Sequence, residues 1–247
     1  MTRHIGKSSD LASAINEVAQ ELRRRQGNNG SWPNDYEVGL CGYAHGASGI
    51  AWALVRHGHC FDEPISISAA EAAFRYEDGW FDQQQGNWPD LRRVTAACAK
   101  TCRLPFLFSW CHGSPGILLA REASERLGCD INDASKGILQ RARQALESNL
   151  NMQLDHPCCG LAGQLEPDIV RASLSKNPTG LSQARTLLAE AVERSQYEGG
   201  YALLGAEARG AVHPGLFQGA AGMVYTLLRA ANPEELPSFL LMEAALF

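Results

Sequence analysis

No apolar run in the sequence approaches the roughly 20 residues that a bilayer span requires, and the opening "MTRHIGKSSD" lacks the apolar core of a signal peptide. The expected location is therefore the cytoplasm. No block of five or more like charges occurs and the formal net charge is -5, which argues against nucleic acid as the main partner. Strict alternation of apolar and polar residues, the mark of half-buried strands, is scarce, so the chain reads as all-α. What is present is 247 residues, 45% apolar and 20% charged, enough for one large core.

Cysteine is plentiful, with eight in the chain. Without an export signal these are expected to be mostly reduced thiols, some serving a metal or catalysis and others simply buried. Cys98 and Cys102, four apart in "CAKTC", read as small buried hydrophobes or a loop pair. Cys41, Cys60 and Cys129 have no partner pattern and take the same reading. Cys158 and Cys159 are adjacent, and neighbouring backbone positions point their side chains apart, so they do not readily close a disulfide.

Four segments share a layout: "AHGASGIAWAL" (44–54), "CHGSPGILLAR" (111–121), "CCGLAGQLEPD" (158–168) and "FQGAAGMVYTL" (217–227). Each is two variable residues, then Gly-x-x-Gly, then the start of a mostly apolar stretch. Between them lie amphipathic segments of helical period. Leu11, Ile15, Val18 and Leu22 form one stripe over 10–25, residues 134–150 repeat the idea with Ile138, Leu139, Ala142, Leu146 and Leu150, and 180–195 is a third. Amphipathic outer helix, glycine loop and buried inner helix alternate, which predicts a helical toroid or solenoid whose repeats must stack to bury their apolar faces. The glycines allow close backbone approach and turn each inner helix N-terminus toward a common cavity.

Superposing the repeats on their first glycine places Ala44-His45, Cys111-His112, Cys158-Cys159 and Phe217-Gln218 at equivalent tips. In a closed toroid all of them point to one end of the cavity. Cys111, Cys158 and Cys159 then form the three-thiol set of a zinc site with one open position, the arrangement of a catalytic metal. A closed site with His112 or His45 as fourth ligand, or no metal at all, stays open at this point. His45 stands at a tip where an imidazole can act as general acid or base, and His112, beside a candidate ligand, can orient substrate or donate a hydrogen bond. His57 and His59 in "RHGHC" lie away from the tips and read as structural. His156 and His213, each before a proline, receive no role.

"GYAHGASG" (42–49), "WCHGSPG" (110–116), "CCGLAG" (158–163) and "PGLFQGAAGMVYTLLR" (214–229), in this order, closely resemble the lanthionine synthetase C-like cyclases. "RYEDGWF" and "NWPDLR" (75–81 and 87–92) are more similar to the cyclase domain of class II lanthipeptide synthetases than to stand-alone cyclases. The resemblance runs from about Trp32 onward. It implies an α/α toroid and a one-zinc cyclase that adds a peptide cysteine to a dehydrated serine or threonine, closing a lanthionine or methyllanthionine ring. The family's zinc ligands fall on Cys111, Cys158 and Cys159, and its proton-transfer histidine on His45. Most members have histidine where this chain has Cys159; the Cys-Cys-Gly variant is similar to the prochlorosin-type synthetases. A third thiolate makes zinc a poorer Lewis acid and leaves more electron density on a bound substrate sulfur.

The family's toroid has seven inner-outer repeats, and four are legible here. Residues 1–247 therefore correspond to the C-terminal part of a cyclase domain, without the earlier repeats, without the upstream dehydratase domain and without a motif for an active-site aspartate that the family draws from an earlier repeat. The expected partners are a dehydrated precursor peptide with its leader and the dehydratase domain or remaining repeats, with no nucleic acid and no membrane span. An open array exposes the flank of its end repeat, so the isolated chain is expected to be marginal, to aggregate or to pair. The competing readings are an inactive fragment, a zinc-dependent thiol- or peptide-binding module without cyclase activity, and a carbohydrate-processing toroid. The last would use paired carboxylates, and no such pair stands at the tips.

Overall fold

A computed structural model describes residues 9–32, 38–95, 97–175, 178–205, 210 and 213–243. The chain forms α1 (Ser9–Arg25), α2 (Ala47–Phe61), α3 (Pro64–Asp78), α4 (Cys98–Thr101), α5 (Ser114–Arg126), α6 (Asp133–Glu147), α7 (Leu161–Ser175), α8 (Pro178–Glu198) and α9 (Ala220–Ala231), followed by a 3-10 turn at Phe239–Leu241. Extended pairing among the described residues is limited to isolated bridge positions, among them Asp82–Asn87 and Pro89–Phe106. The all-α reading holds.

Two layers are present, as the glycine motifs predict. The inner helices α2, α5, α7 and α9 follow the four Gly-x-x-Gly turns and pack in that order, α2 on α5, α5 on α7 and α7 on α9. Outer helices lie against them: α3 on α2, α6 on α5, and α8 on α7 and α9. Inner packing rests on small residues, since Ala47 and Ala51 of α2, Ala120 and Ala123 of α5 and Ala162 of α7 are all buried and let helix axes approach. Larger side chains fill what remains. Leu118, Leu119 and Ile117 of α5 are fully buried, each contributing about 1.5–3 kcal/mol by leaving water.

The predicted outer helices appear as α1, α6 and α8, and α6 begins where the Asn132 side chain accepts the Ser135 N–H. Outer helix α3 went unread in the sequence, although Pro64 at its first turn is a start signal. The α1 stripe is only partly used. Ala19 is buried and Ile15 and Leu22 are half-buried, but Leu11 (50%) and Val18 (61%) are exposed, because among the described residues no further repeat covers that side.

Two cysteine expectations need correction. Cys98 and Cys102 are joined in a disulfide across the single turn of α4, where four-residue spacing brings the side chains together. Cys60 is exposed, not buried, while Cys41 and Cys129 are buried as expected. His57 is buried at the C-terminal end of α2, stacked on Phe61, with Nδ1 on Ser66 Oγ (2.9 Å) and Nε2 on Asn16 Oδ1 (2.8 Å). Its structural reading stands.

After α9 the chain turns back across the inner layer. Leu240 and Leu241 are fully buried in the core cluster formed by α2 and α5, and their carbonyls accept from Trp110 Nε1 (3.2 Å) and Trp52 Nε1 (2.8 Å). Arg229 of α9 pairs with buried Glu166 of α7 (2.6 Å) and donates to the Leu236 carbonyl. The C-terminal segment thereby ties the last inner helix to the first.

Candidate metal centre

Each tip is a loop that doubles back on its own helix. In all four repeats a Cβ on either motif glycine would strike the carbonyl of the residue six positions earlier: Leu40 and Tyr43, Leu107 and Trp110, Leu154 and Pro157, His213 and Leu216, all at 2.4 Å or less. Only glycine fits. At three tips the N–H after the first glycine also donates to that carbonyl, Ala47 to Leu40, Leu161 to Leu154 and Ala220 to His213. The second repeat substitutes a side chain: Asn87 accepts from Ser114 N (2.8 Å) and donates to the Leu107 carbonyl (3.1 Å).

The tips are stitched to one another. Ala44 N donates to Cys111 O (3.3 Å), Cys111 N to Cys158 O (3.3 Å) and Cys158 N to Phe217 O (2.8 Å). These four residues are the ones that glycine superposition makes equivalent. A ladder of one bond per repeat therefore puts Cys111 beside Cys158, and Cys159 comes with its neighbour.

The three thiols lie within 4.8 Å of one another, with Cys111 Sγ to Cys159 Sγ at 3.5 Å and Cys159 Sγ to Cys158 Sγ at 3.4 Å. Hydrogen bonds from Cys158 and then Cys159 pull the Cys111 thiol far below its usual range. The contact with Cys111 is the first cause that pushes the Cys158 thiol up and the Cys159 thiol up to about 11. A tetrahedral zinc with sulfur at about 2.3 Å places its ligand sulfurs roughly 3.8 Å apart. The observed spacing needs only tenths of an ångström of adjustment, and the donor set is one that zinc favours.

The two histidines differ in access. His45 is exposed on the rim of a cleft of about 930 Å³ whose lining includes Cys111, Cys158, Trp52, Arg56 and Phe217. No Asp or Glu among the described residues lines it. His112 is 1% exposed, with its ring 6.2 Å from that of His45. Its Nε2 stands 3.2 Å from Asp90 Oδ1 but off a hydrogen-bonding line, and neither ring nitrogen has a hydrogen-bond partner among the described residues. Burial holds its pKa below the usual value. His112 sits behind the thiols and does not line the cleft.

Sequence reading passed over several residues that hold the tips. Buried Glu77 accepts from Gly42 N, Ser48 N and Ser48 Oγ (3.0, 3.1 and 2.5 Å), fixing both ends of the loop that carries His45. Gln164 accepts from Asn151 N and donates to the Phe108 carbonyl, and Asp155 accepts from Ala202 N. His156, given no role, accepts the Cys159 N–H at Nδ1 (3.3 Å), and His213 lines the cleft. The only sequence signal was position, a polar residue near a glycine turn.

The model of the family described as lanthionine synthetase C-like protein matches residues 2–241. The chain belongs to that family. Among solved structures, nisin cyclase is similar, with a TM-score of 0.64 and 18% identity over 92% of this chain and 59% of that one. That likeness gives the lanthionine synthetase C-like chain the α/α toroid fold expected from its glycine repeats. This chain spans about three-fifths of the length of nisin cyclase.

Proposed function

We propose that this chain carries the zinc site of a lanthionine-forming cyclase. The observation that supports it most is the cluster of Cys111, Cys158 and Cys159 opening onto a cleft with His45 at its rim, in a member of this family. The three thiols would hold one zinc ion, and when bound it lowers the pKa of a substrate thiol. Substrate would be a dehydrated precursor peptide with its leader, lying in the cleft. There the cysteine loses its S–H proton, a sulfur–carbon bond forms at the β-carbon of the dehydroamino acid, and the α-carbon gains a proton. His45 takes the thiol proton or delivers the one at carbon. His112 is buried beside a ligand and does not line the cleft in which substrate would lie. A site of only three protein side chains, Cys111, Cys158 and Cys159, is of the kind that would serve catalysis and not structure.

Residues 1–247 would be the C-terminal portion of the cyclase domain, acting in the cytoplasm with the remaining repeats or a dehydratase domain. The absence of an Asp or Glu from the cleft lining among the described residues supports a second reading, a zinc-dependent thiol- or peptide-binding module without ring formation. The two separate in one assay. Zinc-loaded protein is incubated with a dehydrated, cysteine-containing peptide, and alkylatable thiol is counted by mass spectrometry. Cyclase function predicts loss of alkylatable thiol without change of peptide mass, abolished by a chelator and reduced at least about 10²-fold by Cys158→Ala or His45→Asn. Zinc bound at one equivalent with the peptide thiol fully alkylatable would leave the module reading; no zinc bound would end both.

A further inference from the structure

The cleft extends well beyond the thiols, and α2 measures how far. Of this helix up to Arg56, only Gly49, Ile50, Ala53 and Arg56 are not buried, the spacing of one helical face, and all four line the cleft. That face begins at the tip carrying His45, whose neighbour Ala44 donates its N–H to the Cys111 carbonyl. It ends at Arg56, nine residues after Ala47, which is about 14 Å along the helix at 1.5 Å per residue.

Arg56 is held in place at that far end. Its Nη1 donates to the Met242 carbonyl (2.9 Å), and the guanidinium carbon lies 5.8 Å from the centre of the Trp52 ring. Trp52, one turn earlier, donates to the adjoining Leu241 carbonyl (2.8 Å), so the same turn of the C-terminal segment fixes both side chains. Nε and Nη2 have no hydrogen-bond partner among the described residues. These are the two donors that together face one carboxylate, as they do in this same chain where Nε and Nη2 of Arg92 fork Asp90 (3.0 and 2.7 Å). Glu243, next to Met242, is engaged elsewhere: it accepts from Ser238 N (3.3 Å) and stands 3.8 Å from Arg126.

An unpaired surface arginine is ordinary, but this one stands in an unusual field. The chain carries a formal net charge of -5, yet among the described residues no Asp or Glu lines the cleft, and Arg56 is the one Lys or Arg that does. The acidic surface in general repels an anion, whereas this end of the cleft offers it a fixed cation with two free donors.

We propose that Arg56 is a specificity-determining residue that holds an Asp or Glu side chain of the peptide, about four residues from the cysteine that reaches the thiols. An extended peptide advances about 3.3–3.6 Å per residue, so four residues cover the distance. The proposal rests on the peptide-substrate reading above. It differs from general charge attraction in depending on position along the peptide.

The test uses the zinc-loaded full chain and capped, C-terminally amidated peptides with one reduced cysteine and no dehydroamino acid, so that no ring can close. A single Asp or Asn stands two, four or six residues to either side of the cysteine, and dissociation constants are measured by calorimetry at fixed ionic strength. Asp should bind about fivefold more tightly than Asn at four residues on one side, the scale of a forked but partly exposed ion pair, with a smaller preference at two and six. Arg56→Gln should bring the Asp and Asn peptides within about twofold of each other, and Arg56→Lys, which keeps the charge and loses the fork, should fall between. No Asp preference in the wild type, an equal preference at every position, or a full preference kept by Arg56→Gln would each overturn the proposal; the first two need no variant to fold. Dehydrated counterparts of the Asp and Asn peptides separate this from the cyclase reading. Rings formed from both with the same KM would overturn the role of Arg56 alone, while the Asp preference with every peptide thiol still alkylatable would uphold it and end the cyclase reading.

Discussion

The backbone N–H of Cys159 is held by a histidine two residues outside the glycine motif, and this kind of detail is what the sequence conceals. Cys111, Cys158 and Cys159 were legible because the repeat supplies its own ruler: equal distances to a glycine mean equal places in the fold. Glu77 and Asn87 were not, because each grips a tip from a different part of the chain; nor was His156, because like theirs its partner is a backbone group that carries no residue identity. His57, away from the site, gives a prediction at this scale. Both its nitrogens are bonded and burial lowers its pKa. The folded state therefore resists the proton that the unfolded chain accepts, so this contribution is intact above the unfolded pKa of about 6.5 and is lost as pH falls through it toward the folded value. Thermal midpoints measured between about pH 7 and pH 5 should drop on acidification, and less steeply in His57→Gln; identical slopes would exclude His57 as a source.

Among the helices, those with a wide apolar face were readable from period alone, and α3 was not, because its buried face is made of small residues, Ser66, Ala70 and Ala73 around a single Phe74. Pro167 inside α7 was also no guide, since that helix continues through it to Ser175. Glycines divide sharply by element. A methyl at Gly163, on the first turn of α7, would meet the Pro157 carbonyl at 1.8 Å, whereas at Gly137, within outer helix α6, nothing lies within 4 Å. Gly163→Ala should destabilise by about 2–4 kcal/mol, since backbone must shift. Gly137→Ala should stabilise by about 0.5–1 kcal/mol, because alanine loses less freedom in a helix. Chemical denaturation of the two variants beside wild type checks both signs at once.

For the whole molecule, the toroidal order of repeats was legible, and the return of residues 233–243 across the inner layer was not: "PEELPSFLLME" shows no glycine motif, and the burial of Leu240 and Leu241 depends on Trp110 and Trp52 offering indole N–H groups to their carbonyls. That segment covers part of the inner layer, yet α9 still exposes Val224 (54%) and Leu228 (50%), four apart on one face. Sedimentation at rising concentration should therefore show self-association, and Val224→Ser with Leu228→Ser should reduce it with little change in thermal midpoint. Concentration-independent monomer in the wild type would contradict this. The single backbone bond between successive tips has another consequence, for how such a molecule can change over generations. What defines the centre is four backbone positions held in step, and the arcs of chain between them are of unequal length without disturbing it. An arc can gain or lose a loop on the outer layer at little cost to the thiols, while one residue inserted between a cysteine and its glycine would throw that tip out of step. Variation is free to accumulate along the periphery, and the chemistry is insulated from it.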